Sequence, residues 1–223
     1  MLFRRKQRKK KFRWIALKLV GIIFVIFILQ VLFKGITENF SLISTDITTR
    51  PWILITSIFL HGSLTHLLFN MFALFLFGLF LEKEIGSSRF LFVFFITGLI
   101  ASLAAAYFYP ASLGASGAIY GVMGMLTVLR PLKLVWAFGV PMPMIIAAIL
   151  WVAIDFSGLS SSLQGIPVGI ANAAHLAGIF SGALFGFMLK RYLRFERLRR
   201  RGMAGRYAYH EQQRRRLEGR AGI

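Results

Sequence analysis

The chain contains no cysteine and only 8 acidic residues among 223. The first absence excludes disulfides, a thiolate nucleophile and cysteine metal sites. Charged residues of either sign make up just 16% of the chain, so the few polar groups inside apolar runs can be weighed one at a time. What is present instead is hydrophobic: 57% of the residues, with 23 Phe and a mean hydropathy of +0.69. Those values belong to an integral membrane protein, not a soluble domain.

The 27 basic residues leave a net charge of +19, gathered mostly at the two ends. One end is a basic segment over residues 1–13, with the run Arg4-Arg5-Lys6-Gln7-Arg8-Lys9-Lys10-Lys11; the other is the basic tail over 191–223. Residues 14–33 are too long for the apolar part of a cleavable signal and lack a small-residue cleavage pattern after them, so they read as a retained span. Further apolar runs at 64–81, 90–109, 115–129, 134–154 and 170–189 predict an all-α polytopic protein, with six transmembrane helices in a membrane-embedded domain over 14–190.

An even number of spans puts both termini on one side. Their basicity assigns that side to the cytoplasm, with Lys83, Arg89, Arg130 and Lys133 in the inner loops, and the expected location is the plasma membrane. The tails suit anionic lipid headgroups, at about 1 kcal/mol per Lys or Arg near the surface. Phe195, Tyr207 and Tyr209 among the tail arginines would also permit a nucleic-acid contact, but lipid is the nearer anion and no nucleic-acid partner is expected.

Depth then collects the polar residues. At 1.5 Å per helical residue, Ser116 stands about 21 Å above Arg130, and His175 about 22 Å above Lys190. His66 and Asn70 stand about 24 and 18 Å above Glu82 by the same rise, and as an i, i+4 pair they share a helix face. These residues are expected to meet in one plane below the outer surface, where non-helical backbone is tolerated only if protein shields it or water lines it. Asp155, counted from Lys133, comes out about 33 Å along its helix. It is expected at the outer interface, outside the site, with no acidic residue inside any span; on that placement Asp155→Asn would change turnover only a few-fold.

A serine hydroxyl needs a base to take its proton, and His175 is the only histidine at matching depth that offers a plausible one. Ser116 and His175 therefore form a candidate nucleophile and base. With no carboxylate expected there, the Tyr120 ring, one turn below Ser116, would support the imidazole. The free N–H groups at the head of the helix that Ser116 begins, with Asn70 and His66, could receive an oxyanion. Gly117, Gly121 and Gly124, and Gly178, Gly182 and Gly186, have the small-residue spacing that lets membrane helices touch. Each residue also has a plainer role: Ser116 as a helix N-cap, His175, His66 and Asn70 as interhelical hydrogen-bonding groups, Tyr120 as packing. His61 is expected at the outer interface near Trp52, and Glu82 and Arg89 at the inner turn as structural residues.

Five segments in order resemble the rhomboid family of intramembrane serine proteases. They are Pro51-Trp52 with Thr56 and Phe59-Leu60-His61; His66-Leu67-Leu68-Phe69-Asn70-Met71; Gly78 with Leu81-Glu82 and Gly86 to Phe90; Gly114-Ala115-Ser116-Gly117; and Ala174-His175-Leu176-Ala177-Gly178. The resemblance implies cleavage of peptide bonds in or beside transmembrane segments of other proteins, by water admitted from the outer side, without metal or other cofactor. It implies Ser116 as nucleophile, His175 as base and then acid, and His66 with Asn70 at the oxyanion site. The short first loop departs from members that carry an adjacent Trp-Arg pair. The alternative is a catalytically silent relative that binds or escorts membrane proteins, against which the presence of both Ser116 and His175 argues. A transporter is disfavoured by the expected absence of acidic residues within spans.

Overall fold

The computed structural model describes residues 11–166 and 169–220. Most of the basic N-terminal run lies outside the described residues. The apolar runs form α1 (Ile15–Leu32), α2 (Leu64–Ile85), α3 (Ser87–Phe108), α4 (Ser116–Leu129), α5 (Met144–Leu163) and α6 (Asn172–Arg220). By length and composition, five of the described helices can cross a membrane. The sixth, α4, has only 14 residues, about 21 Å of helix, so five long helices and a shorter one stand where six full spans are expected.

That short helix is the centre of the bundle. Its residues Gly117 through Thr127 are buried except Tyr120, and it packs against α2, α3 and α5. Its glycines let backbones touch: a Cβ on Gly178 of α6 would run into the carbonyl oxygen of Gly117, one on Gly182 into that of Gly121, and one on Gly124 into that of Ile179. On the α3 side, Gly117 and Gly121 leave room for Ala101 and Thr97.

The expected helix over 134–154 is corrected. Its first part is an antiparallel hairpin of β1 (Leu134–Ala137) and β2 (Val140–Pro143), with Leu134 opposite Pro143 and Ala137 opposite Val140. Phe138 and Gly139 both have positive φ, the two-residue turn whose twist matches a hairpin. Hydropathy missed it because exposed Leu134 and Trp136 are as apolar as buried Val135 and Ala137. Pro143, which lacks an N–H and fixes φ, immediately precedes α5.

Glu82 is expected at the inner turn as a structural residue; α2 runs on past it to Ile85, and the start of α1 packs on it so that it is fully buried. Its carboxylate accepts from the backbone N–H of Ile15 and of Ala16, both at 2.9 Å, of Arg13 at 3.3 Å, and from the Ser87 hydroxyl. Trp14 provides no side-chain cap for α1, so Glu82 satisfies its first donors from another helix. Glu82→Gln replaces one acceptor oxygen with a donor facing those N–H groups. We expect it to lower unfolding free energy by about 3 kcal/mol, measurable as an earlier thermal unfolding transition in detergent.

Contacts divide the chain into two units, 1–186 and 187–223. The bundle lies in the first. In the second, Glu196 pairs with Arg199 at 3.5 Å along the helix.

Candidate active site

The loop before α4 enters the protein because several bonds hold it there. Leu42 and Ile43 pair antiparallel with Ser112 and Ala111, and the Gly114 N–H donates to the Ser57 carbonyl at 2.9 Å. Gly114 has φ +130°, and a Cβ there would lie 2.8 Å from Cε1 of His66. Only glycine suits both demands. Ala115 is then fully buried, and Ser116 opens α4 without a side-chain cap at its N-terminus.

The Ser116 hydroxyl instead meets His175: Oγ and Nε2 are 2.8 Å apart. The Tyr120 ring is stacked on the imidazole, with centroids 4.2 Å apart and planes 14° from parallel. On the opposite edge of the imidazole, Nδ1 lies 2.8 Å from Oδ1 of Asp155. Asn172 Nδ2 donates to the same oxygen at 2.8 Å.

The expected placement of Asp155 at the outer interface is therefore corrected, as is the expectation that spans hold no acidic residue. The hairpin between Lys133 and Met144, apolar enough to pass for helix, accounts for the difference. Counted from the true start of α5 at Met144, Asp155 is about 16 Å along, near mid-helix, and it is buried. Asn172 was also missed. The readable signals were the turn pair Phe138-Gly139 and the prolines at 141 and 143; Asn172, at the start of α6, had none of its own.

His66 and Asn70 project from α2 on the other side. With Ser116 and His175 they line one cleft of about 1140 Å³, which also reaches Phe69, Pro110 and Ile166. Asn70 Nδ2 donates to the His66 carbonyl at 2.9 Å, one turn back, and the amide group carries a second N–H. His61 departs from expectation. It is buried rather than interfacial, its ring centroid 5.0 Å from that of His66, while its backbone N–H donates to Gln30 Oε1 of α1 at 3.0 Å.

A family model described as a rhomboid domain matches residues 48–192, more than half of the sequence. The chain belongs to the rhomboid family. As a rhomboid it is a member of a family of intramembrane proteases, hydrolases built from membrane-spanning helices. Among curated relatives, RHOMBOID-like protein 4 of Arabidopsis thaliana is 34% identical over 62% of this chain and 34% of its own length. Mitochondrial Rhomboid protein 1 of Saccharomyces cerevisiae is 31% identical over 76% of this chain and 51% of its own. Rhomboid protease GlpG of Haemophilus influenzae is 30% identical over 63% and 70%. The match thus spans about a third to a half of the length of the first two.

Proposed function

We propose that this rhomboid is a serine endopeptidase that cuts peptide bonds in or near transmembrane segments of other membrane proteins. The supporting observation is the 2.8 Å approach of Ser116 Oγ to His175 Nε2 at the floor of the cleft. In the first half-reaction Oγ attacks the scissile carbonyl carbon as its proton passes to Nε2. The oxyanion lies toward the Ser116 N–H at the head of α4, where donors and the positive helix end favour negative charge, and toward Asn70 and His66. As the C–N bond breaks, the imidazolium returns its proton to the departing amine. Water in the cleft then gives a proton to Nε2 and its oxygen to the acyl carbon, and Ser116 leaves with that proton restored.

The reading places the protein in the plasma membrane with both termini cytoplasmic and the cleft open to the outer side. Its support is the concentration of Lys and Arg at both ends. The same charge favours anionic headgroups around the tails.

The deciding experiment incubates purified protein in liposomes with a fluorogenic transmembrane peptide, alongside Ser116→Ala. Cleavage by the parent only is the expected result; equal cleavage by the variant would remove Ser116 from the chemistry, and an inert parent would favour a binding or escort role. Asn70→Ala in the same assay should lower kcat by about 10²-fold, the usual consequence of losing one oxyanion donor. A kcat within twofold of the parent would take Asn70 out of the oxyanion site.

A further inference from the structure

The geometry points to Asp155 as a positioning residue that fixes the proton of His175 on Nδ1 and opposes the charge the ring acquires during turnover. This inference rests on the Ser116–His175 reading above. Asp155 lies midway along α5 and is 2% exposed. A carboxylate so placed in a membrane helix is costly unless paired. Its Oδ1 takes two donors, His175 Nδ1 and Asn172 Nδ2, each at 2.8 Å, and the Tyr120 hydroxyl also interacts with the carboxylate. Its Oδ2 is buried without a hydrogen-bond partner among the described residues.

An ionised carboxylate only accepts hydrogen bonds. A neutral His175 must therefore carry its proton on Nδ1 to donate to Asp155, which leaves the Nε2 lone pair toward the Ser116 hydroxyl. Without that partner the ring could hold its proton on Nε2, the tautomer unable to act as base. Once Nε2 takes the serine proton, the imidazolium lies beside a buried carboxylate. The other groups around the ring supply no compensating negative charge: Ser116 and Tyr120 from α4, His66 across the cleft on α2, and Asn172 on α6 itself.

A tie between α5 and α6 is the simpler role for the same atoms. Asn172 alone would serve that role. A mere tie predicts no effect on which ring nitrogen carries the proton.

The test combines kinetics and ¹⁵N NMR on the full chain in detergent, with histidine labelled and the His175 signals assigned by their loss from His175→Ala. In the parent, the expected signature is a protonated Nδ1 and a bare Nε2. In Asp155→Asn that preference should weaken, while kcat falls about 10²- to 10⁴-fold and KM stays within threefold. An Nε2-protonated His175 in the parent overturns the inference, and this readout needs neither activity nor a folded Asp155→Asn. Parental kcat in a folded Asp155→Asn overturns it too, while leaving Ser116 and His175 in place. If the parent neither cleaves nor reacts with a fluorophosphonate at Ser116, the underlying reading fails and the inference falls with it.

Discussion

His175→Ala is expected to reduce kcat/KM for a transmembrane peptide by about 10⁴-fold or more, and Ser116→Ala by a similar factor. On the proposed mechanism the two groups act on one proton, so removing either stops its transfer. The double variant Ser116→Ala/His175→Ala should therefore be no slower than the worse single variant, within about threefold, because nucleophile and base function as a unit. The site also limits collateral damage. The His175 side chain is 12% exposed and faces the cleft, so truncating it removes the Tyr120 stack and two hydrogen bonds but leaves the α4–α6 backbone contact intact. Thermal unfolding of each variant, measured beside its kinetics, checks this. Additive losses in the double variant would mean that Ser116 and His175 contribute to separate steps.

The second large effect is on folding. Gly182→Leu should destabilise the bundle by about 3 kcal/mol or more, the upper range for overpacking, because its Cβ would collide with a backbone carbonyl of Gly121 rather than with a side chain able to rotate away. α4 can retreat little, since Gly121 on its other face already lies against Thr97 of α3. The contrast is Gly21 of α1, where an added Cβ meets nothing within 4 Å. Gly21→Ala is expected to be neutral or stabilising by up to about 1 kcal/mol through helix propensity. Unfolding in detergent, followed by circular dichroism, should separate the two variants clearly. A Gly182→Leu transition matching the parent would show that the two backbones are not held in contact.

Composition and residue spacing are enough to set the membrane class, the approximate helical segments and the common level of Ser116, His175, His66 and Asn70. Apolar length and residue rise are one-dimensional quantities, and a chain that stays helical between a basic flank and a polar residue preserves them. The glycine periodicity likewise indicated close helix contact, because a missing side chain acts wherever two backbones cross. Tertiary structure alone decided where Asp155 and Glu82 belong. For Asp155, the hairpin over 134–143 replaced about 15 Å of supposed helix with a reversal, moving a carboxylate from the expected surface to the imidazole. For Glu82, burial followed from the start of α1 settling on the C-terminal end of α2, a contact between residues more than sixty apart in sequence. Hydropathy cannot register either event: an apolar hairpin scores like an apolar helix, and the partner that makes a buried charge tolerable is supplied by another part of the chain.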